Sequence, residues 1–418
     1  MTTDNLLSTI SIERTKSLNR LNKIGNILTK LGFSTFKLDA DKIIKKSIKK
    51  AHFKGKVPEQ AEKGLRVAVD AINREGKPNA FGALSTRVLF ETTLYGRLKI
   101  EQHLTQHPEI LKTPIKEPVV IAGMPRTGTT ILHAMMHEDP MFRSPLAWEL
   151  VLPYPVPKPD PSANAKQIKE VDKRFQQIFK LLPDFKTKHY MDVETPQECV
   201  GINMFDFNTF QIPVLYHIPS YLDWYSNQAD KLATMKFHKR FLQYLQSGGI
   251  KSDRWLLKTP LHLMRLPELF EVYPDAKIIV THRHPEKIVP SVASLIYSFR
   301  SLYSDHADAQ ATAMEQADLW SMYFERFLDS LKKLDKNNQI IHIKFTDFVK
   351  DQFQEIKSIY EQMNWEMTTE AEKRIKQFIQ ENPKDKNGVH QYSLEDFGIT
   401  KQYINKRFER YIDFINQL

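Results

Sequence analysis

The run Val119-Val120-Ile121-Ala122, continuing into Gly123-Met124-Pro125-Arg126-Thr127-Gly128-Thr129-Thr130, constrains this chain more than any other stretch. Four apolar residues without alternation predict a strand buried on both faces. The two glycines that follow have the separation of a phosphate-binding loop set between a strand and a helix. Such glycines let backbone N–H groups converge on an anion, and the N-terminus of the next helix adds positive potential. Ile131, Leu132, Met135 and Met136 share one face of that helix, with Thr129 and Thr130 where caps belong. The lysine that reaches the terminal phosphates of a nucleoside triphosphate is missing, and Arg126 supplies a cation from inside the loop instead. An ordinary glycine turn between buried elements is the competing reading.

A second motif supports the anion site. Lys277-Ile278-Ile279-Val280-Thr281-His282-Arg283-His284-Pro285 reads as another buried strand, with Ser291 eight residues beyond Arg283. The strand end delivers Arg283 to the rim where open parallel sheets bind ligands, and a helix starting near Pro285 turns Ser291 toward the same cleft. Arginine is a planar, permanently charged clamp for phosphate, and the serine hydroxyl adds an uncharged donor. Taken alone, Arg283 reads as a surface cation and Ser291 as an ordinary helix residue; the first loop gives the pair its weight.

Together these motifs resemble the sulfotransferases that use 3′-phosphoadenosine 5′-phosphosulfate (PAPS). Pro125 to Thr130 matches that family's 5′-phosphosulfate loop, and Arg283 with Ser291 matches its 3′-phosphate pair. Trp255-Leu256-Leu257-Lys258-Thr259-Pro260-Leu261-His262 and the tail His390-Gln391-Tyr392-Ser393-Leu394-Glu395-Asp396-Phe397-Gly398 resemble a mainly bacterial branch of it. The likeness is strongest from about Pro118 to Arg300 and returns in the tail.

The resemblance implies transfer of the PAPS sulfonate to a hydroxyl, with release of PAP and no metal. Such a reaction needs an anion cradle, cations for the charge building on the leaving phosphate, and a base for the acceptor proton. Backbone around Thr127, Gly128 and Thr129, with the Thr130 hydroxyl, is expected to hold the 5′-phosphate. Arg126 stands where many members carry lysine, and acts electrostatically because arginine keeps its proton. Lys258 resembles the lysine that contacts the transferring sulfonate. For the base, Glu149 falls where carbohydrate-directed relatives place a glutamate, beside a Trp-Leu wall of the kind that raises a carboxylate pKa. A helix-cap or salt-bridge role is its alternative, and His189, His262 and Glu198 stay open as bases. His390 and Tyr392 either close over the adenosine or dock the C-terminus.

Composition fits a large α/β protein: 418 residues with 41% apolar content can bury a sizeable core, and no linker divides the chain. Cys199 stands alone, which excludes an internal disulfide framework and points to a reducing, cytoplasmic setting. No run approaches a spanning helix, and no secretory signal is read. Residues 1–60 hold 13 Lys/Arg against 5 Asp/Glu, so +8 of the net +10 is N-terminal. Ile43-Ile44-Lys45-Lys46-Ser47-Ile48-Lys49-Lys50 is a basic amphipathic helix, suited to peripheral membrane contact or, more simply, to a solvated face. No reading motif supports nucleic-acid binding. Neither a zinc-helix histidine spacing nor an acidic magnesium cluster is present, so no metal is expected.

Coarse patterning predicts a helical N-terminal extension over residues 1–110, packed on an α/β domain over 111–418 with a helical insertion around 160–250. The fold class is a P-loop-like parallel sheet flanked by helices. Strands are expected at Trp255-Leu256-Leu257, at Lys277 to Thr281 and at Gln339 to Phe345. A core stripe runs through Trp320, Tyr323, Phe324, Phe327, Leu328 and Leu331. Prolines at every second position from Pro153 to Pro161 predict a stiff, extended segment, either a cleft rim or a spacer. Aromatic stretches around Phe205 and Tyr221 either wall an apolar pocket or pack the core. The acceptor is a small-molecule or lipid-like hydroxyl. A P-loop kinase and a non-catalytic membrane or scaffold protein are the alternatives on this fold.

Overall fold

The computed structural model describes residues 14–31, 36–181, 192–383 and 392–418. Among these, five strands form one parallel sheet: β1 Val119–Gly123, β2 Phe142–Arg143, β3 Arg254–Lys258, β4 Lys277–His282 and β5 Ile340–Lys344. Their order is β2-β3-β1-β4-β5. The strands read as apolar runs because both faces are covered. Val120, Ala122, Leu257, Ile278 and Val280 enter one buried cluster, while Val119, Ile121, Leu256, Ile279, Ile341 and Ile343 enter another. This is the alternation that the period of a strand requires. The α/β sheet flanked by helices that the sequence implied is therefore the fold.

Register fixes what the strand ends present. Gly123 lies opposite Thr281, and Ile121 lies between Lys258 on β3 and Ile279 on β4. From β1 the chain moves to one side for β2 and β3, then crosses to β4 and β5 on the other. The carboxyl ends of β3, β1 and β4 thus border a crevice at a topological switch point, where ligands bind in open sheets.

Among the described residues, four α-helices precede β1: α1 Lys16–Lys30, α2 Ala40–Ala51, α3 Glu59–Ala71 and α4 Ala80–Gln106. α2 is the basic segment read as amphipathic. Its Ile43, Ser47 and Ala51 are buried, and Ile44 and Ile48 pack on the main cluster. Only the lysine face stays open, with Lys46 paired to Glu91 at 2.6 Å. The isoleucine face that lipid contact needs is occupied by protein.

After β1 come α5 Thr129–His137, α6 Ala147–Val151, α7 Pro161–Leu181 and α8 Lys231–Gln246. α9 Pro285–Tyr303 follows β4, with Pro285 in the first turn where a missing N–H costs nothing, and α10 Ala309–Lys333 packs beside it. In α10, Trp320, Tyr323, Phe324, Phe327 and Leu328 are buried, as the stripe predicted. The proline segment is bonded between α7 and α8: Tyr244 Oη donates to the Pro153 carbonyl and Gln167 Nε2 to that of Pro155. Phe205, Phe207, Tyr221, Trp224 and Tyr225 are buried in the main core, and the Tyr221 hydroxyl donates to the Phe207 carbonyl. These aromatics are packing rather than an open pocket wall.

Two local readings shift. Gly128, not a threonine, caps α5, because the cap position has the left-handed φ of 87°. Phe345 opens a short helix, Phe345–Lys350, instead of ending β5. His189 and His390 lie outside the described residues.

Candidate active site

The loop after β1 is built by close approach. A Cβ at Gly123, whose φ is 141°, would stand 2.4 Å from Thr281 Oγ1 and 2.6 Å from the Thr281 carbonyl oxygen. Only glycine lets β1 and β4 meet there. Arg126 then takes a left-handed φ of 70°, a conformation a side chain adopts at a cost and which persists where surroundings enforce it. The enforcing group is Thr127. Fully buried, it donates from Oγ1 to the Met124 carbonyl at 2.6 Å and shares a second 2.6 Å bond with Thr281 Oγ1. Its hydroxyl shapes the loop from inside, leaving backbone groups to face the crevice.

On the β4 side, Arg126 and Arg283 come together. Arg126 Nε donates to Ser291 Oγ at 3.1 Å, and Arg283 Nη1 donates to the Arg126 carbonyl at 3.0 Å. The Arg283 guanidinium lies over the Phe345 ring at 4.3 Å. Partial burial and the adjacent Arg126 charge both lower the Arg283 pKa. Burial also lowers that of Arg126, opposed by the nearby Tyr392 phenol. Two cations held side by side define a place where an anion is favoured.

On the β3 side, Lys258 closes its strand almost fully buried. Its Nζ donates to Glu198 Oε1 at 2.6 Å and to Thr130 Oγ1 at 3.3 Å. Thr130 is exposed in the first turn of α5, and the Glu198 side chain is 35% exposed against 4% for that of Lys258. The lysine is thus a buried cation aimed at the helix start, with a solvent-reachable carboxylate beside it.

Glu149 is placed elsewhere. Its Oε2 accepts from the Leu146 N–H at the start of α6, and its Oε1 accepts from Arg143 Nη2 at 3.0 Å. Both side chains are buried, at 2% and 7% exposure. The Arg143 guanidinium lies over Trp255, near the start of β3, whereas Lys258 ends it. Glu149 therefore has the helix-cap and salt-bridge surroundings that were set against a catalytic role. His262 is also buried, and desolvation, followed by His238 and Arg265, holds its pKa well below the ordinary imidazole value.

Sequence reading brought out Arg126, Thr127, Gly128, Thr129, Thr130, Lys258, Arg283 and Ser291, all of which border this crevice or shape its loop. It missed Thr281 and Phe345. Thr281 stands inside the second motif, two residues before Arg283, and a β-branched hydroxyl opposite a loop glycine was its only signal. Phe345 had none, because its contact with Arg283 joins the ends of two different strands.

Residues 118–370 match the sulfotransferase family. The omega-hydroxy-beta-dihydromenaquinone-9 sulfotransferase Stf3 of Mycobacterium tuberculosis is 22% identical over 309 residues, covering 70% of this chain and 74% of its own. Its Mycobacterium bovis counterpart gives the same figures. Among solved structures, sulfotransferase STF9 from Mycobacterium avium superimposes with a TM-score of 0.82 and 26% identity, over 91% of this chain and 97% of its own. Sulfotransferase STF1 from Mycobacterium tuberculosis gives 0.78 and 27%, over 89% and 98%.

Proposed function

Because this chain belongs to the sulfotransferase family, we propose that it transfers the sulfonate of PAPS to the hydroxyl of a lipid-like or other small acceptor and releases PAP. The observation that carries the donor assignment is the convergence of Arg126, Arg283 and Ser291 at one side of the β1 loop, with Lys258 and Thr130 at the other. A molecule with one phosphate at each end of an adenosine matches two such clusters. Backbone N–H groups from Thr127 to Thr129 and the Thr130 hydroxyl take the 5′-phosphate, and Arg283 with Ser291 takes the 3′-phosphate. Arg126, drawn toward Ser291 here, lies within the same loop and neutralises the leaving group.

In the reaction, the acceptor oxygen forms a bond to sulfur as the bond from sulfur to the 5′-phosphate oxygen breaks. The electron pair stays on the phosphate, where Arg126 and Lys258 offset the charge. The acceptor proton passes to a base. We assign this role to Glu198, whose carboxylate is partly exposed and touches Lys258, whereas both Glu149 oxygens are committed to Arg143 and the helix cap. When donor binding draws Lys258 to the sulfonate, the Glu198 carboxylate is freed to accept the acceptor proton. The lipid-like acceptor rests on likeness to Stf3, whose name gives a hydroxylated menaquinone.

Two measurements test this reading. Calorimetry is expected to show metal-independent PAP binding tighter than binding of magnesium–ATP; preference for ATP rejects the donor. Incubation with labelled PAPS and a cell lipid extract, followed by mass spectrometry, is expected to yield a sulfonated lipid. Label recovered only on water-soluble alcohols rejects the lipid class.

A further inference from the structure

Directly behind Lys258 lies a buried group that the transfer reaction does not use. The Cys199 thiol and the His238 and His262 imidazoles bring one donor atom each to within 4.8 Å of one another. None of the three is more than 1% exposed. They come from separate parts of the chain: Cys199 follows Glu198, His238 is on α8, and His262 is on the 3₁₀ turn Pro260–Arg265 after β3.

The hydrogen bonding of this cluster is incomplete in a specific way. His238 Nδ1 is 2.8 Å from Tyr273 Oη, while its Nε2 has no partner among the described residues. Both ring nitrogens of His262 lack one as well. Buried polar groups are rarely left so, and neutral rings offer one lone pair each, so the two imidazoles beside a thiol call for something that accepts lone pairs. A tyrosine on the far nitrogen of His238 is the arrangement that orients a ligating imidazole in metal sites.

We propose that Cys199, His238 and His262 bind one divalent metal ion of the zinc class. One thiolate and two neutral imidazoles form a ligand set that suits zinc and leaves a position for water. As the metal–sulfur bond forms, the Cys199 proton leaves to solvent, one per ion bound. That charge is needed, because the Arg265 guanidinium adds positive potential at both histidines. Arg265 sits three residues after His262 on the 3₁₀ turn, so the two side chains share a face. Its Nε and Nη1 also lack partners, and a metal-bound water is an acceptor for them.

The ion would tie together the segments that carry the reactive pair. The Cys199 N–H already donates to the Lys258 carbonyl at 2.9 Å. A link from Cys199 to His262 clamps the chain after Glu198 to the chain after Lys258. This positioning role rests on the reading above, but the metal itself does not.

The test therefore reads the metal without substrate. Full-length protein purified without chelators is expected to carry close to one zinc per chain by plasma mass spectrometry. Replacement by cobalt(II) is expected to produce a near-ultraviolet thiolate charge-transfer band and visible bands of a tetrahedral site. In Cys199→Ser the charge-transfer band disappears. Should that variant not fold, wild-type protein alone decides. Absence of zinc, together with no cobalt bands after refolding in cobalt(II), would mean that water fills the cluster and overturns the proposal.

Discussion

Arg283 Nη1 donates to the backbone carbonyl of Arg126 across 3.0 Å, so the cation at the end of β4 braces the loop that follows β1. Arg283 thus adds a second brace, beside Thr127, to the left-handed turn at Arg126 while adding its own charge to the same crevice. A ligand phosphate relieves the repulsion and gains a prearranged pair of donors.

Arg283→Ala is expected to weaken PAP binding roughly 10- to 100-fold, the span for one charge-assisted contact. Arg283→Lys restores little, because a compact ammonium neither stacks over Phe345 nor bonds in two directions at once. Ser291→Ala loses a neutral donor and costs roughly fivefold. Titration calorimetry with PAP decides; equal affinities for all three variants and wild type would remove Arg283 from the donor site.

Thr127→Val tests how the loop is held. The change keeps size but leaves the Met124 carbonyl without its hydroxyl donor and strips a partner from Thr281. Loss of stability by about 1–3 kcal/mol follows from leaving buried groups unpaired, read as a lower urea midpoint. PAP affinity is expected to fall as well, since the backbone cradle loses its support. Unchanged stability would show that the loop shape does not depend on this hydroxyl.

What could be read from sequence was carried by contiguous motifs. The buried run before Gly123 needs no knowledge of the rest of the chain, because strand period places it, whereas Arg283 and Ser291 gained weight only beside that first loop. Lys258 was singled out only because its Lys-Thr-Pro setting resembles the family's motif. Glu149 was read without Arg143, which reaches it from the two-residue strand β2, too short to signal itself. The Trp-Leu neighbourhood stood out in the sequence, whereas the buried Arg143 guanidinium that pairs with Glu149 did not. The Cys199, His238 and His262 cluster was equally hidden, since metal spacing rules cover ligands on one helix or knuckle and these lie on three segments.

The two glutamates separate by opposite signatures. Glu198→Gln is expected to lower kcat by about 10²- to 10⁴-fold, the usual range for a lost general base, with thermal stability near wild type. Glu149→Gln leaves Arg143 as a buried unpaired charge and is expected to cost about 3–5 kcal/mol of stability, with kcat nearly intact in the folded fraction. Kinetics with saturating PAPS beside urea unfolding of each variant checks both. The reverse pattern would return the base role to Glu149.

The sheet also contains a pH-sensitive pair. His282 Nε2 on β4 lies 2.9 Å from His342 Nδ1 on β5, one ring donating and the other accepting. Burial lowers the His342 pKa to about 4. Burial, then His342 and Lys344, holds His282 well below its ordinary value. Both rings are therefore neutral when folded, and in the unfolded chain each takes up a proton near pH 6.5. A depressed folded pKa means that the unfolded state binds more protons between the two values, so stability is full above about 6.5 and falls as pH drops toward 4. For His342 the loss amounts to about 2–3 kcal/mol by pH 4, at 1.4 kcal/mol per unit with allowance for partial solvent screening. Urea unfolding of wild type and His342→Gln at pH 7, 6, 5 and 4.5 isolates this from carboxylate effects. The variant is expected to start less stable and to show a shallower decline; parallel curves would mean that His342 takes up protons equally in the folded and unfolded chain.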